Sequence, residues 1–349
     1  MNELLSWETT TEFNTGLDFA FLGGRVSGTF DWYTKTSKDL LMDMKLLLEQ
    51  GSYNGSMTAN VGKVRNSGVE LMLKGILFQS KDFYWDITAS FAKNKNEILE
   101  LQGKKEDMRA ERWFIGQPID VAYDLKQLGI CTQAKANELV TINGVTKTNS
   151  EWYGYFEGCM TYEDANKDGK LNDDDRQILG HALPKWTGNL SITLSYKNWD
   201  FSMSINTKQG HLLYSPFMEE FTNYSDRGRT KLNMDFYIPE GAPIFNYTWD
   251  GKTTTSLTSN PNIVADHTTV GSYPYPFDGA AYNYGGGNGW YTSKNKEFES
   301  NNYVDASYWK IKNITVGYTF SKKLIKKIGL ENLRIYANIL LSLIHISEP

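Results

Sequence analysis

Glu12-Phe13-Asn14-Thr15-Gly16-Leu17-Asp18-Phe19-Ala20-Phe21 decides the fold class of this chain. Side chains alternate faces along a β-strand, so Phe13, Thr15, Leu17, Phe19 and Phe21 share one face and Glu12, Asn14, Gly16, Asp18 and Ala20 the other. The same period returns in Val26, Gly28, Phe30 and Trp32 against Ser27, Thr29, Asp31 and Tyr33. It returns again in Trp85, Ile87, Ala89 and Phe91, in Leu190, Ile192, Leu194 and Tyr196, and in Trp199, Phe201, Met203 and Ile205. Ile314, Val316, Tyr318 and Phe320 form a further face. Trp309 and Ile311 are out of phase with it, which predicts a bulge near Lys312-Asn313. A last strand is expected from Leu333, with Ile335, Ala337 and Ile339 on one side.

Alternation alone also suits a soluble β-sandwich. The strands here read as roughly 10 to 14 residues, against about 5 or 6 in soluble sheets. Connections alternate between short and long. Leu22-Gly23-Gly24, Ser80-Lys81-Asp82, Lys197-Asn198 and a basic stretch from Ser321 to Asn332 are short, whereas residues 37–66, 97–185 and 210–303 are long. Outer-membrane barrels have short periplasmic turns and long outer loops, which accounts for that parity. The fold class expected is therefore all-β, a partial antiparallel transmembrane β-barrel of about eight strands from a larger barrel. Asp18, Asp31, Lys35, Glu70, Lys74, Asp86 and Asp200 would face inward, and charges in a dry interior are costly, so water or a polar plug must meet them.

Composition agrees. The 349 residues carry a net charge of −5 and a pI near 5.6, which offers nucleic acid no electrostatic partner. Aromatic residues make up 14%, and Tyr and Trp suit a boundary between dry and wet surroundings. No apolar run reaches the roughly 18 residues of a transmembrane helix; the longest, Ile339 to Ile346, is broken by Ser342 and His345. Met1-Asn2-Glu3 does not open a signal peptide, so the native start is expected upstream. Cys131 and Cys159 lie in one long connection without metal spacing, and their pairing is left open by sequence separation alone.

Several stretches resemble the SusC/RagA family of TonB-linked outer-membrane proteins. They are Trp7 to Asp18, Asp31 to Leu41, Asn60-Val61-Gly62-Lys63-Val64-Arg65-Asn66-Ser67-Gly68-Val69-Glu70-Leu71, Asp164 to Gly180, and Asp305 to Tyr318. The resemblance implies the C-terminal part, residues 1–340, of a barrel of about 22 strands closed around a plug, with the plug and the first barrel strands outside this chain. It implies an importer of glycans, peptides or similar oligomeric nutrients in the outer membrane of a Gram-negative bacterium. Its expected partners are a SusD-like lipoprotein, the TonB complex acting through the plug, and membrane lipid. A surface binding or adhesion protein without transport is the alternative. After Asn338 the chain departs from the family, and Leu343 to Pro349 looks like translated sequencing-adapter read-through; residues 341–349 are expected to be a non-native tail.

Asp164-Ala165-Asn166-Lys167-Asp168-Gly169-Lys170-Leu171-Asn172-Asp173-Asp174-Asp175 fits a calcium loop. Asp164, Asn166, Asp168, Asn172 and Asp175 would supply oxygen, Lys170 its carbonyl, and Gly169 the sharp turn for a structural Ca2+. No further cofactor is expected. Tyr273, Tyr275, Phe277, Tyr282, Tyr284, Trp290 and Tyr291 surround Gly285-Gly286-Gly287 and are candidates for substrate or partner contact. Lys322, Lys323, Lys326 and Lys327 read as a basic turn with one short helix. His181, His211, His267 and His345 share no motif spacing, and Glu219-Glu220 is an isolated acid pair, so no enzyme is expected.

Overall fold

The computed structural model describes residues 5–45, 56–215, 237, 302–340 and 343–346. Its strands are β1 (Thr9–Phe21), β2 (Val26–Lys45), β3 (Ser56–Gln79), β4 (Phe83–Leu101), β5 (Val121–Leu125), β6 (Gln127–Ile130), β7 (Leu139–Ile142), β8 (Val145–Thr148), β9 (Met160–Tyr162), β10 (Arg176–His181), β11 (Trp186–Tyr196), β12 (Trp199–Gln209), β13 (Leu212–Tyr214), β14 (Tyr303–Asp305), β15 (Tyr308–Thr319), β16 (Arg334–Ile339) and β17 (Leu343–Ile346). Short helices are α1 (Gln133–Asn137), α2 (Asn149–Tyr153) and α3 (Lys322–Ile325). One sheet runs β1-β2-β3-β4-β11-β12-β15-β16, and β17 adds a ninth strand by pairing with the other half of β15. The chain divides into two compact units, one holding this sheet (residues 1–121, 180–213 and 305–349) and one holding residues 122–179 and 214–304.

Register carries the alternation across the whole sheet. Phe21, Val26, Gly75, Ile87, Ile192, Met203, Ile314 and Ile339 lie side by side, one from each of the eight strands. One residue away, Ala20, Ser27, Lys74, Thr88, Ser191, Ser204 and Asn313 form the neighbouring row on the opposite face. A shift of one residue in any strand would move its oily set to the wrong side, so the pattern itself specifies the pairing. The expected bulge falls where the phase breaks: Ser204 pairs with Asn313 and Ile205 with Ile311, which leaves Lys312 as the extra residue.

The oily rows face outward. Phe13, Leu17, Phe21, Phe30, Val316 and Ile335 are all exposed, an arrangement opposite to that of a sandwich core. Aromatic rings bound this face at both ends. Phe83, Tyr196, Trp199, Tyr318 and Phe320 cluster near the short turns, with Trp199 and Tyr318 centroids 4.8 Å apart. Phe91, Trp186 and Trp309 cluster at the far end, at 5.8 and 6.1 Å, and Phe13 against Trp32 extends that belt. The 11-residue β11 joins the two belts. Its length is roughly 33 Å along the strand, or about 25 Å once tilted by about 40°, the height of an outer-membrane apolar band.

Two expectations change. The strands of the first hairpins are longer than anticipated, at 20, 24 and 19 residues for β2, β3 and β4. The connection anticipated at 37–66 therefore shrinks to residues 46–55, because paired backbone continues past the end of the alternating stretch. Asp39, at φ 59°, marks the irregularity where the alternation fails. There β3 and β4 support a small buried cluster of Val64, Ile98 and Leu101 with Leu40, Trp113 and Ile115. The connection anticipated at 97–185 is also no open loop: Leu125, Met160 and Tyr162 form one core in it, and Cys131, Ala136, Tyr155 and Cys159 another.

Ile192→Lys in the full-length protein should cost about 2–4 kcal/mol in urea unfolding from lipid vesicles, while Thr193→Lys should cost close to nothing because it enters the wet side. Equal losses at the two positions would contradict the facing assigned to β11.

Candidate functional site

The polar face of the sheet has the chemistry of a wetted channel wall. By register, Asp18, Asp31, Lys35, Glu70, Lys74, Asp86 and Asp200 all lie on it. A cleft of about 480 Å3 opens there, lined by Asp31, Glu70, Ser90, Asn189, Asn206 and Lys208 among others. Asp31 and Glu70 sit directly opposite each other. Gly16, across from Asp31 on β1, leaves room for the Asp31 carboxylate, since a Cβ there would collide with it. Asn189 Nδ2 donates to Ser204 Oγ at 3.2 Å and also to Asn206 Oδ1, and Ser191 Oγ donates to Asn189 Oδ1 at 3.0 Å.

Asp200 on this wall meets a counter-charge. Arg334 Nε donates to Asp200 Oδ1 at 3.1 Å, and Gly317 provides the space for that pair. On the opposite face of β3 and β4, Arg65 Nη2 donates to Glu97 Oε2 at 2.8 Å, and Lys95 meets the other oxygen of Glu97. On the wall itself, Asn96 Nδ2 donates to Asn66 Oδ1 at 2.9 Å, while Tyr33 Oη donates to Asn94 at 3.1 Å. Such a surface offers hydroxyl, amide and carboxylate partners to hydrated, polar ligands.

The acidic loop of the second unit folds round its own carboxylates. Asp164 accepts from Gly169 N–H at 2.8 Å and from Tyr153 Oη at 2.9 Å. Burial first, and the Asp164 carboxylate next, push the Tyr153 phenol above its usual range. Asp168 accepts from Lys170 N–H at 2.8 Å, and Asn166 Oδ1 from Asp168 N–H at 2.9 Å. Asp175 is fully buried; its oxygens take N–H groups of Ala165 and Asn172, each at 2.9 Å. Gly169, at φ 86°, lies against the Trp152 ring of α2, where a Cβ would sit 2.7 Å from ring carbon. Among the described residues no three His, Cys, Asp or Glu side chains gather closely enough to hold a metal by themselves. The oxygen set that does gather is two carboxylates and an amide, Asp164, Asp168 and Asn166, which suits a hard cation that also takes carbonyl and water oxygen.

A further pair was not anticipated from sequence. Arg176, straight after the acidic turn, reaches the fully buried Asp124 of β5 at 3.3 Å. An arginine closing a run of three aspartates was its available signal. Tyr273, Tyr275, Phe277, Tyr282, Tyr284, Trp290 and Tyr291 lie outside the described residues, as do Glu219-Glu220 and His267. His181 Nδ1 sits 2.5 Å from the Leu183 carbonyl, and burial, followed by Lys208, lowers the pKa of His211. The basic turn holds α3, as expected, and ends at Gly329 with φ 75°.

An open antiparallel sheet with an oily outer face between two aromatic belts, and a charged, hydrated inner face, defines part of an outer-membrane β-barrel wall. Residues 2–237 match the family described as TonB dependent receptor-like, beta-barrel, and the chain belongs to that family. It is 31% identical to the TonB-dependent receptor SusC of Bacteroides thetaiotaomicron over 65% of this chain and 22% of that protein. A TonB-dependent receptor of Formosa agariphila is 26% identical over 94% of this chain and 31% of its own length. The fold matches the RagAB peptide transporter (TM-score 0.59, 21% identity, 96% of this chain and 32% of that one) and the RagAB peptide importer in its closed-closed state (TM-score 0.61, 22% identity, 96% and 31%). The SusC/RagA resemblance is thereby upheld, and the protein is an outer-membrane protein of a Gram-negative bacterium. The chain spans less than a third of the length of these relatives.

Proposed function

We propose that this chain is the C-terminal part of the barrel wall of a TonB-dependent importer that takes up glycans, peptides or similar oligomers. The unbroken oily row outside and polar row inside, held through eight paired strands, carry this reading. A SusD-like lipoprotein at the outer mouth, and TonB acting through a plug in the portion of the relatives this chain does not span, would complete the machine. Its structural relatives, a peptide transporter and a peptide importer, favour transport over the alternative of surface adhesion. Transport needs no catalytic group in this wall. In cells carrying the full-length protein, uptake of labelled peptide or oligosaccharide pools should collapse when TonB is deleted or the proton gradient is dissipated. Ligand retained at the surface, with no energy-dependent accumulation of any pool, would favour adhesion.

We propose also that the acidic loop binds Ca2+ as a structural ion, with Asp164, Asn166 and Asp168 as side-chain ligands and the Lys170 carbonyl beside them. Asn172 and Asp175 would complete or brace the shell. Calcium should slow proteolysis of residues 163–177 several-fold in the native protein and leave an Asp164→Asn/Asp168→Asn variant unchanged. Equal cleavage of the native protein with Ca2+ and with chelator would remove the ion from the account.

A further inference from the structure

The second unit holds two buried cysteines. Cys131 directly follows β6 and Cys159 directly precedes β9, and the antiparallel register pairs Ile130 with Met160. One step further along that register Cys131 faces Cys159. The Cys131 N–H donates to the Cys159 carbonyl at 2.7 Å, and the Gly158 N–H to the Cys131 carbonyl at 2.8 Å. Residues directly opposed in an antiparallel pair have Cα atoms about 4.5 to 5.5 Å apart, inside the roughly 4.4 to 6.8 Å that a disulfide accepts. The two thiols are free in the structure; Cys131 Sγ donates to the Thr132 carbonyl at 3.5 Å, and Cys159 Sγ accepts from the Phe156 N–H at 3.4 Å. Both residues are buried, at 0% and 1% exposure, against Ala136 and Tyr155.

We propose that Cys131 and Cys159 are joined by a disulfide in the mature protein, stapling the base of this connection. Between them lie α1, the β7–β8 hairpin and α2, so the bond would close a folded module on itself. Both faces of the outer membrane are oxidising, so a formed bond persists there. Formation removes one hydrogen from each thiol. One cysteine thiolate attacks the disulfide of a periplasmic dithiol oxidase and displaces a thiolate; the second attacks the mixed disulfide and releases the oxidase as its dithiol. Two electrons and two protons pass from the cysteine pair to the oxidase. Burial of both sulfurs places the exchange before the module finishes folding. It also shields the finished bond from soluble reductant.

The test uses the full-length protein extracted from outer membranes in detergent, denatured in excess alkylating reagent and digested without reductant. The expected product is one linked pair of peptides containing Cys131 and Cys159, lighter by two hydrogens than the sum of its parts. That pair should vanish after reduction in denaturant, and survive the same reductant applied to the folded protein. In a Cys131→Ser variant, Cys159 should instead become alkylated. Quantitative alkylation of both cysteines in the native sequence would overturn the proposal, leaving the pair as two buried thiols of the core.

Discussion

Backbone hydrogen bonding in a medium without water is the constraint on which the rest of this structure depends. An unpaired N–H or carbonyl in hydrocarbon costs several kcal/mol, so a chain that crosses as strands must pair every strand with a neighbour. The eight-strand path from β1 to β16 does this with antiparallel partners, joined alternately by short and by long connections. Leu22-Gly23-Gly24, all at positive φ, turns one hairpin, and Lys197, at φ 54°, turns another. Once pairing is settled, side-chain chemistry has one remaining choice in each strand, which of two faces is oily. The register resolves it the same way eight times.

From that choice the functional surfaces follow. The outward rows need lipid, and the rings of Trp186, Trp309, Tyr196 and Trp199 set where lipid ends. The inward rows need water or polar protein, and Asp200 on them is paired with Arg334. Asp31 opposite Glu70 is the place on the wall where like charges meet, with Lys208 in the same cleft. A wall of this kind offers hydrogen-bonding and charged groups to hydrated, polar surroundings.

The sheet was legible in the sequence because a period of two survives in any strand with one oily face. Even the bulge at Lys312 was legible, as a change of phase between Ile311 and Ile314. What could not be read was structure held by the backbone alone. Ser37 to Asp39 look like loop residues, yet they lie within β2, because strand pairing outside the membrane does not require alternation. The acidic loop was recognised by its spacing, but spacing could not show Asp175 buried as an acceptor for the loop's own N–H groups. Nor could a separation along the chain show that Cys131 and Cys159 occupy opposed positions of one small sheet; that depends on the pairing of β6 with β9.

The facing of β11 is the most direct place to test the account. Spin labels placed singly at residues 189 to 196 of the full-length protein in bilayers would report two collision rates, with oxygen dissolved in lipid and with a water-soluble nickel complex. Oxygen collisions should peak at 190, 192 and 194 and nickel collisions at 191, 193 and 195. If positions 190, 192 and 194 were shielded from both reagents, those side chains would be packed in a protein core, and the membrane wall described here would be wrong.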